Sequence, residues 1–322
     1  MEVAEFFSAT RVLIVAGKGG VGKTTVSAAL ARAAAGAGVN ALLVEIEGGS
    51  GLGPMFGHAD PLTYEEVVLA RGSAGAEVRA RALTPDEALV EYLVDHGMKG
   101  VSRRLSSSGT LDVVATAAPG IRDILILGKV KQLERVAEAG RAGREGRRPA
   151  ELIIVDAPAA GHAVSFLNSA RGLVDAARVG PIKAQAKEVV EMLSDATRCQ
   201  VVLVTIPEET PVNEVVETAF RLEDRVGVAL APVVVNGLYP HLDGLDADPG
   251  AGMPLSGAQL GDLRAAAAFR RRRQSLQEAQ LARLSERLPL AQLRLPFLFT
   301  PEIGPAELEA LAAAAVEQIA AL

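Results

Sequence analysis

Short runs of apolar residues recur along the chain, and stretches with helical spacing separate them. Strands are predicted at Arg11–Ala16, Ala41–Ile46, Leu111–Thr116, Leu152–Val155, Val201–Ile206, Ala229–Val235 and Leu290–Leu295. Runs such as LIIV and VVLVTI are apolar at consecutive positions, which is typical of strands covered on both faces of a sheet. A helix between consecutive strands implies parallel pairing. The pattern therefore predicts an α/β fold with a doubly wound, mostly parallel sheet.

Helical patterns occupy more of the chain than the crossovers of such a sheet require. The run Thr84-Pro85-Asp86-Glu87 is a capping box with proline at the first helical position, and it opens a helix that reaches about Asp95. Further helices are predicted near 119–140 and 181–195. We therefore predict one domain over 1–322, with a helical subdomain formed by insertions near 84–148 and 171–196.

Charge and cysteine content narrow the classes of protein that fit this fold. The net charge is −6, which does not indicate a broad nucleic-acid surface. Cys199 is the only cysteine, which excludes a disulfide within the chain and argues against a structural zinc site held by one chain. The residues before Arg11 do not resemble a signal peptide, and no apolar stretch reaches the roughly 18 residues of a transmembrane helix. We expect a cytoplasmic protein without stable membrane insertion.

The loop after the first predicted strand carries the clearest chemical signal. Its sequence GKGGVGKT, at positions 17–24, matches GxxxxGK[ST] and lies between a strand and a helix. In this motif backbone amides surround phosphate oxygens, the lysine reaches the β- and γ-phosphates, and the hydroxyl binds Mg²⁺. The motif predicts an Mg-ATP site, and its ATP-binding residues are Gly17, Lys18, Gly19, Gly20, Val21, Gly22, Lys23, Thr24 and Thr25.

Charged residues near this loop suggest how ATP is hydrolysed. Lys18 is either a solvated loop lysine or a cation aimed at phosphate, in its own chain or in a neighbouring subunit. Asp156 follows the strand LIIV and is predicted to bind Mg²⁺ together with Thr24, through water. Glu45 and Glu47 lie on the same face at the end of another strand. We predict that Glu47 orients the attacking water, because it lies closer to the glycine-rich stretch that follows.

The base is predicted to be adenine. The Asn-Lys-x-Asp element that reads guanine is absent from the sequence, and Asn236 follows the strand ending in VVV. An asparagine amide offers a base edge both a donor and an acceptor. ATP is therefore preferred over GTP.

Taken together, these motifs resemble the deviant Walker A ATPases, a class that includes MinD and ParA proteins. Within it the chain is most similar to the family of the arsenite-pump ATPase and the tail-anchored-protein targeting ATPase, including its actinobacterial members. The resemblance covers nearly the whole chain. It rests on GKGGVGKTT (17–25), ALTPDEALVEYL (82–93), TAAPGIRDILILGKV (116–130), DAPAAGHAVSFL (156–167), TIPEE (205–209), VVVNGLYP (233–240) and LPFLFTPEIG (295–304).

The resemblance implies roles for individual residues. Lys18 matches the signature lysine that reaches across a dimer to the partner's phosphates, and Glu208 matches a residue that contacts adenosine across the interface. Glu47 occupies the position of a catalytic aspartate, in a Glu-Gly-Gly-Ser run where the family usually has Asp-Pro-Ala-His. The remaining matches are Asp156, Gly161 and His162 to switch II, Asn236 to the adenine-reading asparagine, and Pro296 and Phe297 to the adenine loop.

Departures from the family limit what carries over. The zinc-binding Cys-x-x-Cys and the arsenite-binding cysteines are absent, and the sequence has one phosphate loop where the arsenite pump has two. We therefore predict an ATPase that works as a homodimer, or as a heterodimer with a paralogue, and that grips or releases an unknown protein client.

Two alternatives remain open. One is a MinD- or ParA-like positioning ATPase, although the acidic C-terminal helix and the single basic run, Arg270–Arg273, argue against it. The other is a weakly catalytic half of a heterodimer, suggested by Glu47.

Overall fold

The computed structural model describes residues 1–46, 51–95, 97, 120–141, 149–176, 180–248 and 254–322. Its strands are β1 Val12–Gly17, β2 Ala41–Ile46, β3 Val67–Arg71, β4 Glu77–Leu83, β5 Leu152–Ala159, β6 Cys199–Thr205, β7 Ala229–Leu230, β8 Val233–Leu238 and β9 Gln292–Pro296. Its α-helices are α1 Val3–Ser8, α2 Lys23–Gly36, α3 Leu52–Met55, α4 Pro85–Asp95, α5 Ile121–Arg141, α6 Ala160–Ala176, α7 Pro181–Leu193, α8 Glu209–Arg221, α9 Gly257–Arg287 and α10 Pro305–Ala320.

The described strands form one sheet in the order β3-β4-β2-β5-β1-β6-β8-β9, with β7 beside β6. Only β3 and β4 pair antiparallel among them. The predicted α/β class with a doubly wound, mostly parallel sheet is therefore confirmed. Because β1 lies between β5 and β6, residues that follow these three strands meet at one carboxyl edge, where open α/β sheets bind ligands.

Both faces of the sheet are buried, as the uninterrupted apolar runs predict. Alternate residues of β1 enter different cores: Ile14 packs with residues of α5, α6 and α7, whereas Val15 packs with residues of α2 and α10. Apolar burial on two faces stabilises the central strand by roughly 25 cal/mol for each Å² removed from water. Burial on both faces therefore holds the end of β1, and with it the start of the following loop, in a fixed position.

The structure departs from the predicted elements at the sheet edges. The strands β3 and β4 were not predicted, because Arg79 and Arg81 interrupt the apolar pattern of β4 although they are only 4% and 7% exposed. Both arginines pair with Glu66. The predicted strand Ala229–Val235 is two strands, interrupted at Pro232, which has no N–H to donate to a ladder. The predicted strand Leu111–Thr116 lies outside the described residues.

The predicted capping box opens α4. The amide of Glu87 donates to Thr84 Oγ1 at 3.3 Å, and the Thr84 hydroxyl donates to the Glu87 carboxylate at 2.7 Å. The helix α5 packs against both α4 and α7, and we call these three helices the helical layer. They lie within or near the predicted insertions. The division of 1–322 into one domain with these insertions stays a prediction.

Candidate active site

Glycines shape the loop between β1 and α2. Gly20 and Gly22 have φ angles of 85° and 86°, a region that residues with a Cβ rarely adopt. At Gly17 a Cβ would lie 2.4 Å from the carbonyl oxygen of Val204, so the loop packs directly on β6. A side chain would therefore strain the backbone at Gly20 and Gly22 and would clash with β6 at Gly17.

The N-terminus of α2 faces the carboxyl edge of the sheet. Gly22, which has no side chain, is its N-cap, so the first amide groups are available to a ligand. Such a helix start attracts anions. The other residues predicted in the loop differ in solvent exposure: Gly19 is exposed, Val21 is buried and Thr25 is partly buried.

Lys23 lies at the start of α2 and is partly buried. Its Nζ donates to the carbonyl oxygen of Lys18 at 3.3 Å, which folds the ammonium back over the loop. Burial lowers the pKa of Lys23, and the nearby carboxylate of Asp156 partly offsets this effect. A cation held over backbone amides is suited to a phosphate.

Asp156 lies on β5 beside Val15 of β1 and receives two hydroxyl groups from α2. Thr24 donates to its Oδ2 at 2.7 Å, and Ser27 donates to its Oδ1 at 3.2 Å. Burial raises the pKa of Asp156, while these two hydrogen bonds and the charge of Lys23 oppose the rise. Hydroxyl and carboxylate oxygens are the hard ligands that Mg²⁺ prefers, so the residues present fit this metal.

Lys18 is directed towards α8. Its Nζ lies 2.7 Å from Oε1 of Glu214, and the two side chains are 40% and 41% exposed. Lys18 is therefore held at the surface by an ion pair within its own chain.

The residues predicted to bind adenine converge where β8 and β9 end side by side. Asn236 donates from Nδ2 to the carbonyl oxygen of Val21 at 3.0 Å, which ties β8 to the phosphate loop. Pro296 ends β9, and the ring of Phe297 lies 4.8 Å from the ring of Tyr239. An amide and an aromatic surface thus lie beside the loop, as a base requires.

Glu208 lies at the start of α8 and is tied to the same edge. Its Oε1 accepts a hydrogen bond from Nη2 of Arg273 at 2.9 Å. The guanidinium of Arg273 also stacks over Tyr239, 5.2 Å from the ring centre. Through Arg273, the helix α9 connects Glu208 to the aromatic residues beside Asn236.

Glu47 and the side chain of His162 lie outside the residues that the structure describes, so their predicted roles stay predictions. Glu45 is only 3% exposed, and its Oε1 accepts a hydrogen bond from the amide of Gly51 at 3.3 Å. Glu45 thus lies in the interior at the end of β2, which is the base of the segment that carries Glu47.

Comparison with known sequences assigns the chain to a family. The sequence model of the anion-transporting ATPase family matches residues 10–176, more than half of the chain. This segment holds β1, the phosphate loop and Asp156. The chain belongs to the anion-transporting ATPase family. It is an ATPase of that family, as the resemblance predicts, and its substrate is accordingly a nucleotide.

Individual known proteins also align over most of this chain. The ATPase BagA of Mycobacterium tuberculosis is 35% identical over 241 residues, which are 74% of this chain and 68% of BagA. An arsenical pump-driving ATPase of Escherichia coli is 26% identical over 255 residues, which are 72% of this chain and 40% of the pump ATPase. Protein Rv2184c of M. tuberculosis is 27% identical over 268 residues, 71% of this chain and 59% of that protein.

Several residues at the edge of this family member were not predicted. Ser27 lies three residues after Thr24 on the same face of α2, a spacing that could have indicated it. Glu214, Tyr239 and Arg273 lie far along the chain from the groups that they contact, and no local pattern marks them. Within the described part of the chain, no helix has the length and apolar character needed to cross a membrane.

Proposed function

We propose that this ATPase binds Mg-ATP at the phosphate loop and works in the cytoplasm as a nucleotide-switched dimer that grips and releases a protein client. The observation that supports it best is the convergence of Lys23, Thr24 and Asp156 at one carboxyl edge. Lys23 binds the β- and γ-phosphates, and Thr24 and Asp156 hold Mg²⁺, Asp156 through water. The metal, when bound, neutralises charge on the phosphates. Asn236, Pro296 and Phe297 surround the adenine.

In this proposal Lys18 acts on the ATP of the partner subunit. It lies at the surface, and its bond to Glu214 joins two half-exposed groups, so exchanging that carboxylate for another anion costs little. Glu208 contacts the nucleoside across the same interface. A cation that arrives in trans as charge develops on the γ-phosphate contributes roughly 10³–10⁵ in rate in related reactions.

Glu47 orients the attacking water in this proposal. The buried position of Glu45 and its bond to Gly51 support the choice of Glu47 over Glu45. The segment Glu47-Gly48-Gly49-Ser50 also motivates a second candidate, a weakly catalytic chain that pairs with a paralogue. In that case the homodimer binds ATP with little turnover.

The helical layer of α4, α5 and α7 is the proposed gripping element. It belongs to one ATPase domain over 1–322, as insertions near 84–148 and 171–196. The packing of α5 against both α4 and α7 supports their movement as a unit. The client is a protein, and neither nucleic acid nor a membrane is required.

A mixing experiment tests the dimer mechanism. Lys18→Ala removes the cation from both sites of a homodimer, and Glu47→Gln removes the water-orienting carboxylate from both. We expect each variant alone to hydrolyse ATP slowly, with Glu47→Gln still forming the closed dimer. In a mixed dimer, the Glu47→Gln chain supplies Lys18 to the site that retains Glu47. An equal mixture should therefore regain roughly a quarter of the wild-type rate if chains pair at random.

One control and two alternative outcomes make the result decisive. Mixing Glu47→Gln with Lys23→Ala should restore nothing, because each site of that mixed dimer lacks a residue of its own chain, and this controls for mere association. If the mixture hydrolyses ATP no faster than the two variants do separately, Lys18 acts within its own chain. A wild-type homodimer that binds Mg-ATP without turnover would instead support the heterodimer candidate.

A further inference from the structure

A cavity of about 140 Å³ opens within the helical layer. It is lined by residues of α4, α5 and α7, and none of its lining residues belongs to the candidate active site. A protein cavity of about 150 Å³ holds a benzene molecule. The size therefore suits a small ligand with about half a dozen non-hydrogen atoms.

The charge lining this cavity is positive. Lys129, Lys131 and Arg135 line it together with the carboxylate of Glu91. Glu188 pairs with both Lys131 and Arg135, so three cations face two carboxylates and one positive charge remains. Lys129 and Lys131 are each only 9% exposed, whereas Arg135 is 55% exposed and lies nearest to solvent. Buried ammonium groups favour an anion, because the low local dielectric strengthens their attraction to it.

The two buried lysines differ in how their donors are used. Lys129 donates to Glu91 at 2.6 Å and to Gln132 at 3.0 Å. Lys131 donates to Glu188 and to no other acceptor among the described residues. An ammonium group has three N–H donors, and leaving a buried donor without an acceptor is unfavourable. Lys131 therefore retains donors for a ligand in the cavity.

Gly128 allows the Gln185 side chain of α7 to approach α5 closely. A Cβ at this position would lie 1.8 Å from Nε2 of Gln185, so the glycine lets the Gln185 side chain lie against the backbone of α5. Both residues line the cavity. The Gln185 amide adds a neutral N–H donor to the charged ones.

We propose that this cavity binds a small oxyanion of the phosphate or sulfate class, with Lys131 as its principal ligand. Donors reach it from two different helices, α5 and α7, and a tetrahedral oxyanion has acceptors in several directions. Lys129, Arg135 and Gln185 complete the set. The site is separate from the phosphate loop and does not depend on the proposed function.

Binding of radiolabelled inorganic phosphate to the full chain, measured by equilibrium dialysis, tests this site. The loop contributes its own phosphate binding, so the informative background is Lys23→Ala. We expect phosphate binding to persist in Lys23→Ala and to weaken by at least about tenfold when Lys131→Met is added, because a hydrogen bond to a charged group is lost. The matched control is Lys187→Met on the neighbouring helix α7, where the lysine is 72% exposed and pairs with Glu191.

A second variant guards against misfolding of Lys131→Met. Gly128→Ala places a methyl group in the cavity wall where the Gln185 amide now lies and forces that donor to move, and alanine is a favourable residue in a helix. It should also abolish this binding while the circular dichroism spectrum stays unchanged. Phosphate binding that Lys23→Ala removes, or that Lys131→Met and Gly128→Ala leave intact, would overturn the proposal, as would its absence from the wild-type chain.

Discussion

At the carboxyl edge of β1, backbone geometry and short polar contacts hold the chain, whereas charged side chains from distant parts of the sequence hold the helical layer to the sheet. The edge depends on Gly20, Gly22 and the bonds from Thr24 to Asp156. In the second region, Glu134 of α5 is 0% exposed and binds Arg11 and Arg198, which directly precede β1 and β6. The edge is arranged for a ligand, whereas Glu134, Arg11 and Arg198 are already paired with one another.

The comparison separates chemistry from stability. At the edge, a lysine and helix amides await an external anion, so changes there should affect nucleotide binding more than folding. Around Glu134, removing one partner leaves the buried charges of the others without compensation. Changes there should affect folding more than nucleotide binding.

The largest effect is expected at the edge. Lys23→Ala should lower nucleotide affinity or turnover by about 10²-fold or more, because the other loop groups contribute amides but no cation that faces the phosphates from this position. Isothermal titration with Mg-ATP and a steady-state ATPase assay measure the two quantities. Lys187→Ala, on the exposed face of α7, is the control. Near-normal binding and turnover in Lys23→Ala would contradict the site.

The next effect concerns folding. Glu134→Gln should reduce the free energy of unfolding by about 3 kcal/mol, because two partly buried guanidinium groups lose their shared carboxylate. Urea denaturation measures this. The control is Glu138→Gln, since Glu138 is 61% exposed and lies 3.7 Å from Arg11. Equal stabilities for the two variants would show that the buried cluster does not stabilise the helical layer.

The same cluster predicts a pH dependence. Burial alone would raise the pKa of Glu134, but hydrogen bonds from Arg198 and Arg11 outweigh it and hold the pKa below its ordinary value of 4.5. A carboxyl with a lowered folded-state pKa stabilises the fold above its unfolded-state pKa, and this stabilisation is lost as pH falls through the folded value. Stability should therefore fall below about pH 4.5, and the fall should be shallower in Glu134→Gln.

Much of the edge could be predicted because its signals are local. The strand ending at Gly17, the motif through Thr24 and the polar residue after LIIV each occupy a few consecutive positions. Parallel pairing then brings these ends together without any further information. The same reasoning applies to Asn236, near the carboxyl end of β8, and to Pro296, which ends the neighbouring strand β9.

The helical layer and the sheet edge could not be predicted to the same extent. Arg79 and Arg81 are polar in sequence yet buried in β4, because Glu66 neutralises them from outside the strand. Glu134 pairs with residues 123 and 64 positions away. No pattern within one element indicates a partner at such a distance, so these positions are easily mistaken for solvated faces.

A smaller effect is expected at Asn236, where the adenine base is proposed to bind. Asn236→Ala should reduce the preference for ATP over GTP by roughly tenfold, because the amide that reads the base is lost. Loss of the hydrogen bond to Val21 would also loosen the phosphate loop, but it would weaken ATP and GTP binding equally. Competition titration of the two nucleotides therefore separates the two effects. Asn213→Ala is the control, since Asn213 of α8 accepts a hydrogen bond from Arg283 of α9 and does not contact the phosphate loop. Equal affinities of the wild-type chain for ATP and GTP would contradict the adenine assignment.

The smallest effect is expected at Glu214 of α8, which pairs with Lys18 beside the edge. Glu214→Gln should release Lys18 and strengthen ATP-dependent dimerisation by at most roughly fivefold, because exposed ion pairs contribute about 1 kcal/mol or less. Sedimentation with a non-hydrolysable ATP analogue measures this, and the gain should shrink as salt screens the pair. The control is Glu217→Gln on the same helix, where Glu217 pairs with Arg221 and not with Lys18. A gain of equal size in both variants would indicate a general loss of negative charge from α8. A weaker dimer in Glu214→Gln alone would show that Glu214 contributes to the interface directly, in which case the ion pair with Lys18 is not a resting contact that the dimer must break.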